Sequence, residues 1–86
     1  MPKLDLAQRL QAVLFVAPNP ATVEQLATAT ETTAKEVKAA LGELSKSLGS
    51  TGMRLTELDG QYRLVTAPEA ADDVRRFLQE EANSDN

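Results

Sequence analysis

Three segments in the first half of the chain repeat apolar residues at intervals of three and four positions. The first segment, for example, places Leu6, Leu10, Val13 and Leu14 at these intervals. Such spacing is typical of helices that bury one side in a core. The pattern predicts helices over residues 4–17, 23–29 and 34–48.

Capping signals mark where these helices begin and end. Pro20 interrupts the pattern after the first helix, because proline breaks a helix interior. Thr22 is a candidate N-cap for the second helix, and Thr33 forms a Thr-x-x-Glu capping box with Glu36 ahead of the third. Gly49 follows the third helix, where a left-handed glycine commonly ends a helix.

After residue 52 the period of the pattern changes to two, which predicts a β-hairpin. Asp59-Gly60 is a strong signal for a two-residue hairpin turn. The pairs that such a turn sets are Leu58 with Gln61, Glu57 with Tyr62, and Leu55 with Leu64. The predicted inner face of the hairpin then consists of Met53, Leu55, Tyr62 and Leu64.

A fourth helix is predicted over residues 67–80. Thr66 and Glu69 form a second capping box, with Pro68 in the first turn, where its missing N–H costs nothing. Residues 81–86 are polar apart from one alanine, so we expect a disordered acidic tail there. The positions of the fourth helix predicted to face the core are Ala70, Val74, Phe77 and Leu78.

Three helices, a hairpin and a further helix, in this order, predict an α+β fold of the winged helix-turn-helix type. The first three helices form the bundle, the hairpin is the wing, and a C-terminal helix follows. One winged-helix domain then occupies residues 1–80. An α+β domain of the ribosomal type shares this order of elements and stays open as the alternative.

The composition limits the kinds of catalytic and metal site that the chain can form, because its 86 residues include no His and no Cys. Ser-His-Asp and Cys-His catalytic sites are excluded, as are zinc sites built from those ligands. No glycine-rich phosphate loop is present, and adjacent acidic residues on a helix do not face each other. We therefore expect a protein that is not an enzyme, with no cofactor, no metal and no small-molecule substrate.

The longest apolar run covers residues 12–17, far short of the roughly 20 residues that span a bilayer. Since the chain also lacks cysteines for disulfides, nothing in it points to secretion. We expect a cytoplasmic protein with no membrane contact.

The net charge of −4 arises mostly at the end of the chain. Up to Leu78 there are ten acidic and nine basic residues, a net charge of −1. With no basic excess, we expect DNA contact to be weak at most. A winged-helix transcription regulator is the alternative function, although Glu36 and Glu43 share the exposed face of its third helix. Its phosphate contacts would be Lys35, Lys38, Lys46, Arg54 and Arg63.

Leu4, Gln8, Gln11 and Phe15 form a second line along the first predicted helix, on the side away from Leu10. An exposed line of this kind is unusual on a monomer. We interpret it as a contact surface, namely a homodimer interface. The alternative is that the fourth helix or the N-terminal segment covers Phe15 and makes it part of the core.

Leu58 breaks the alternation at the wing tip and shares a face with Val65. The two side chains are a candidate contact for another partner. The alternative is that Leu58 is simply an exposed leucine, which needs no functional explanation.

Several segments together resemble the segregation and condensation protein B (ScpB) family. They are QAVLFVA at 11–17, VEQLA at 23–27, TAKEVKAAL at 33–41 and MRLTELDGQYRLVTAPE at 53–69. The resemblance covers about residues 8–78. One departure lies in the wing, where Gln61 occupies a position at which the family often has glycine before Tyr-Arg-Leu.

The resemblance implies a non-catalytic subunit of a bacterial SMC–kleisin complex for chromosome condensation and segregation. Such a subunit forms a homodimer through its first winged helix, binds the kleisin ScpA and through it SMC, and is associated with the nucleoid. The family typically has two winged helices in tandem, whereas this chain contains one. Kleisin-binding residues of a second domain therefore have no counterpart here.

Overall fold

Three helices form a bundle, and a small sheet packs against one side of it. The computed structural model describes residues 3–83. Short 3-10 helices, Leu48–Ser50 and Pro68–Ala70, precede the second strand and the last helix. The order of elements confirms the predicted α+β winged-helix fold. The main elements are α1 (Leu6–Val16), β1 (Ala21–Thr22), α2 (Val23–Thr30), α3 (Ala34–Ser47), β2 (Met53–Leu58), β3 (Gln61–Thr66) and α4 (Ala71–Asn83).

Each bundle helix begins with a reciprocal capping box. The N-cap side chain accepts a hydrogen bond from the backbone N–H three residues on, and that residue's side-chain oxygen accepts one from the N-cap N–H. The six distances lie between 2.8 and 3.1 Å. The predicted caps of α2 and α3 are confirmed, whereas α1 begins two residues later than predicted. The pairs are Asp5 with Gln8, Thr22 with Gln25, and Thr33 with Glu36.

The core lies where α1, α2 and α3 meet. Its largest fully buried side chains are Leu10, Leu26, Val37 and Leu44. Full burial of a side chain of this size contributes about 1.5–3 kcal/mol. Apolar packing between the three helices is therefore the main source of stability in the bundle.

Polar groups at the end of α2 are satisfied by short hydrogen bonds. The hydroxyl of the buried Thr30 donates to the carbonyl oxygen of Leu26 at 2.8 Å. The Arg9 guanidinium, on α1, donates to the carbonyl oxygen of Thr30 at 2.6 Å. This bond satisfies a carbonyl that the end of a helix leaves without an intrahelical partner. It also links α1 to α2 outside the apolar core.

The wing is a two-stranded hairpin in the predicted register. Asp59 and Gly60 have φ angles of 53° and 78°, and positive values at both positions are the signature of a tight type I′ turn. The inner-face side chains Met53, Leu55, Tyr62 and Leu64 are partly buried against the bundle. The observed pairs include Leu58 with Gln61, Glu57 with Tyr62, Leu55 with Leu64, and Met53 with Thr66.

A third strand, β1, joins the wing to the loop between α1 and α2. Ala21 pairs with Tyr62 and Thr22 pairs with Gln61, so that the sheet has the order β1-β3-β2. Two residues are too few to show a period of two, so the sequence pattern gave no indication of this strand. Its effect is to fix β3 between two partners.

Two predicted boundary motifs are wrong. Gly49 lies within the 3-10 helix that continues α3 and does not have the left-handed conformation of a helix-ending glycine. Thr66 is the last residue of β3, and Ala67 takes the N-cap position without a side-chain hydrogen bond. The buried Ala67 is instead held by its backbone N–H, which donates to the carbonyl oxygen of Gly52 at 2.7 Å.

Helix α4 begins four residues later than predicted, ends three residues later, and is less buried. It continues to Asn83, so residues 81–83 of the predicted disordered tail are helical, while 84–86 lie outside the described residues. Phe77 and Leu78 are 63% and 59% exposed, and the prediction that they belong to the core is wrong. A helical period identifies an apolar face, but it does not identify the element that covers that face.

Arg54 holds the base of the wing together. Its Nη1 donates to the carbonyl oxygens of Leu48, Thr51 and Met53 at 2.7–2.8 Å, and its Nη2 lies 3.1 Å from Oε2 of Glu69. A hydrogen bond from its own backbone N–H and the positive charge of Arg54 lower the pKa of the Glu69 carboxyl below its ordinary value of 4.5. Arg54 thus connects the end of α3, the wing and the entry to α4.

We predict opposite effects for alanine at two glycines. Gly60→Ala should lower the free energy of unfolding by about 1–2 kcal/mol, because its positive φ is unfavourable for any residue with a Cβ. Gly42→Ala should raise it by about 0.5–1 kcal/mol, because Gly42 lies within α3 and an added Cβ there meets nothing within 4 Å. Urea unfolding measures both, and equal shifts of the same sign would contradict the assigned turn.

We also predict that Glu69 makes stability depend on pH in acid. A carboxyl with a lowered folded-state pKa stabilises the fold above its unfolded pKa and loses this contribution as pH falls through the folded value. The difference in free energy of unfolding between wild type and Glu69→Gln should be constant above about pH 6 and shrink below pH 4.5.

Urea unfolding at a series of pH values measures this difference. The control is the same pair in an Arg54→Met background, where the dependence should be weaker. A difference that stays constant down to pH 3 would show that Glu69 does not titrate as described.

Candidate functional site

Helix α1 has a buried side and an exposed side. Ala7, Leu10 and Leu14 are buried in the bundle, whereas Phe15 and Val16 are 77% and 73% exposed. A phenylalanine this exposed leaves most of a large apolar surface in water. Burial of this surface against a partner would contribute favourable free energy to binding. The exposed side of α1 is therefore the first candidate for an interaction site.

The exposed side of α1 forms one wall of a groove of about 560 Å³, which we call the α1 groove. The inner face of the wing supplies the other wall. The lining contains two amide side chains and no ionisable group, so it offers hydrogen bonds and apolar contact but no acid, base or nucleophile. Its residues are Gln8, Gln11, Ala12, Phe15, Val16, Met53 and Leu64.

Three of the four predicted interface residues meet in this groove, and the fourth does not. Gln8, Gln11 and Phe15 line it, whereas Leu4 precedes the N-cap Asp5 and is not part of α1. Part of the Gln8 side chain is engaged in capping, because its Oε1 accepts from the Asp5 N–H at 3.0 Å. The predicted helical line thus begins at Gln8.

The structure excludes one of the two interpretations of Phe15. The side chain is 77% exposed, so neither α4 nor the described N-terminal residues cover it. The alternative that made Phe15 part of the core is wrong.

Sequence reasoning missed four residues of the groove. Ala12 and Val16 follow Gln8 at helical intervals of four, and that spacing was the available signal. Met53 and Leu64 were placed on the inner face of the wing, but periodicity does not show that the edge of this face adjoins α1. The missing information was the packing of the hairpin on the bundle.

The predicted partner contact on the outer face of the wing is not one continuous patch. Leu58 is 75% exposed at the tip, where it pairs with Gln61, whereas the partly buried Val65 pairs with Arg54 at the base. The pair Thr56–Arg63 lies between them. Four residues along a strand separate side chains by about 13 Å, so the two do not touch.

The five residues of the alternative DNA site differ in their availability. Lys35, Lys38 and Lys46 are exposed on α3, and Arg63 is exposed on the wing. Arg54 is not available for phosphate, because four hydrogen bonds hold its guanidinium and its side chain is only 24% exposed. Including Arg54 among the DNA contacts was therefore wrong.

Within residues 3–83, no group of three or more acidic, His or Cys side chains is arranged to hold a metal ion. No helix in that range has the length and apolar content of a membrane span.

The chain is similar to known proteins along most of its length. A family model for the segregation and condensation complex subunit ScpB matches residues 8–85. The curated Segregation and condensation protein B of Syntrophotalea carbinolica is 38% identical over 79 residues, which are 90% of this chain and 40% of that protein. The protein of the same name from Symbiobacterium thermophilum is 32% identical over 72 residues, 81% of this chain and 33% of that protein. The chain spans less than half the length of these relatives.

Two crystal structures share the fold. ScpB from Mycobacterium tuberculosis superposes with a TM-score of 0.84 at 30% identity, covering 94% of this chain and 54% of that one. A dimer of the ScpB N-terminal domain complexed with a ScpA peptide gives 0.76 at 28% identity, covering 83% and 91%. The family match extends over nearly the whole sequence, and the winged-helix fold is the one these structures have. The chain therefore belongs to the ScpB family of segregation and condensation complex subunits.

Proposed function

We propose that this chain is a non-catalytic subunit of a bacterial SMC–kleisin complex that condenses and segregates chromosomes. It forms a homodimer through the α1 groove, and the dimer binds the kleisin ScpA and through it SMC. The single observation that carries the proposal is the exposed, uncharged α1 groove around Phe15 in a chain of the ScpB family.

The lining of the groove fits a protein partner better than a reaction. Aromatic side chains and methionine are enriched at protein interfaces, and charged residues are depleted at their centres. Phe15 and Met53 meet the first criterion, and the absence of ionisable groups among the lining residues meets the second. In a two-fold dimer each contact occurs twice, so burial of Phe15 contributes from both protomers.

The partner assignment is supported by the crystallised relative, a dimer of an ScpB N-terminal domain with a ScpA peptide. That relative corresponds to the part of ScpB that this chain resembles, since the match covers 91% of it. A domain of this size thus provides both a self-association surface and a ScpA-binding surface in a relative. We place the present chain in the cytoplasm, at the nucleoid.

Direct DNA contact has a minor place in this proposal. The four exposed basic side chains Lys35, Lys38, Lys46 and Arg63 are accompanied by Glu36, which caps α3. Phosphate binding needs a basic excess, and the residues up to Leu78 have none.

The dimer prediction is tested by Phe15→Glu. The variant should have the 9.3 kDa mass of the single chain at concentrations where the wild type has twice that mass, because a buried unpaired carboxylate is strongly unfavourable. The matched control is Leu58→Glu at the wing tip, since Leu58 is 75% exposed and Phe15 is 77% exposed. Sedimentation equilibrium gives both masses, and an unchanged dimer for Phe15→Glu would disprove the assigned interface.

A second prediction concerns ScpA. A labelled ScpA peptide titrated with wild-type chain should show saturable binding by fluorescence anisotropy. Phe15→Glu should bind at least tenfold more weakly, because a ScpA peptide that contacts both protomers of the dimer has only one of its two surfaces on the monomer. The control here is Ser45→Glu, at an exposed position of α3 outside the candidate contacts, and it should bind as the wild type does.

The possible results separate the two parts of the proposal. Equal affinity for dimeric and monomeric proteins would show that ScpA binding does not use the dimer. No binding by either protein would remove ScpA as a partner of this chain, whatever its oligomeric state.

A further inference from the structure

Helix α4 presents an apolar face that the rest of the described chain leaves uncovered. Its one extensive contact with another element within residues 3–83 is with the adjoining 3-10 helix Pro68–Ala70. Leu78 is 59% exposed, and Phe77, at the edge of the same face, is 63% exposed. The ion pair Arg76–Asp73 lies on the opposite face, and the ion pair Arg75–Asp72 lies along one edge of the apolar face.

A helix in this situation needs a packing partner. Isolated helices shorter than about 12–15 residues are marginal in water, and α4 has 13 residues. Its two ion pairs are exposed and contribute about 0.2–0.5 kcal/mol each. They do not replace the tertiary packing that normally stabilises an amphipathic helix.

The apolar face of α4 adjoins the α1 groove. It borders a hollow of about 430 Å³, the α4 hollow, whose lining includes Thr66, Val74, Leu78 and Ala82. Thr66 pairs directly with Met53, and Met53 lines the α1 groove. The base of the wing therefore borders both apolar surfaces, which lie on either side of it.

The α1 groove alone is small for a stable dimer. The exposed parts of Ala12, Phe15 and Val16 supply on the order of 300 Å², whereas each partner of a specific interface buries about 800 Å². The face of α4 adds a similar apolar area. Together with the glutamine side chains and the base of the wing, the α1 groove and the face of α4 approach the area that a stable dimer buries.

We propose that a second copy of this chain covers the α1 groove and the α4 hollow at once, so that α4 of each protomer packs against α1 of its partner. The inference rests on the proposed dimer and names a second element of its interface. A two-fold contact has to be self-complementary, and these two faces satisfy that condition because both are apolar at their centres. Arg75 and Gln79 at the rim of the hollow then face the amides of Gln8 and Gln11.

Cross-linking between different chains tests this contact, and the chain is suited to it because it contains no cysteine. Chains with Ala12→Cys, which lies in the α1 groove, are mixed with larger, tagged chains that have Ala82→Cys, which lies in the α4 hollow. A short bismaleimide should link the two kinds of chain. The matched control replaces Ala82→Cys with Glu80→Cys, two residues away on the opposite face of α4.

The cross-linking results distinguish this inference from the dimer itself. Products joining positions 12 and 82 well above the control support the α4 contact. Products joining only position 12 to position 12 leave the dimer in place and overturn the α4 contact. If no dimer forms at all, as judged by the mass of the wild-type chain, both the dimer and the α4 contact are wrong.

A substitution of one mostly exposed side chain on the face of α4 gives an independent measurement. Leu78→Gln should raise the dimer dissociation constant at least tenfold, while Glu80→Gln should leave it unchanged. An unchanged constant for Leu78→Gln overturns the inference. If that variant instead binds the ScpA peptide more weakly with its dimer intact, the face of α4 binds ScpA and not a second copy.

Discussion

The turn at the tip of the wing is the constraint on which the exposed surfaces depend. Asp59 and Gly60 both have positive φ, which fixes a two-residue turn and with it the register of β2 and β3. A slip of one residue would place Met53 and Leu64 on opposite faces of the hairpin, so that one of them would point away from the bundle. The groove would lose one wall, and the chain would leave β3 in another direction on its way to α4.

Much of the fold follows from local signals. The N-cap at Thr22 and the capping box at Thr33 are readable because the capping groups lie close together in the sequence. The hairpin register is readable because Asp59-Gly60 permits one tight turn. The capping box predicted at Thr66 does not form for a physical reason. Thr66 is part of strand β3, and the Glu69 side chain forms an ion pair with Arg54. Tertiary partners thus overrode a local cap.

The candidate site was predictable only in part. The exposed line on α1 identified Gln8, Gln11 and Phe15, because a helix has a definite period. Met53 and Leu64 could not be added, because no periodicity reports which element lies beside another. The same limit explains why the prediction for Phe77 and Leu78 is wrong, because an apolar helix face does not show which element covers it.

The position of strand β1 bears on the order in which the chain becomes structured during synthesis. The capping boxes and the contacts of α1, α2 and α3 all lie within the first 48 residues. The bundle can therefore form before the wing is synthesised. Ala21, however, has to wait for Tyr62, about forty residues later, before its strand can pair. Until the wing is made, the nascent bundle therefore leaves Ala21 and Thr22 without their strand partners and the groove around Phe15 without one wall. Completion of the wing pairs this strand and completes the groove in the same step.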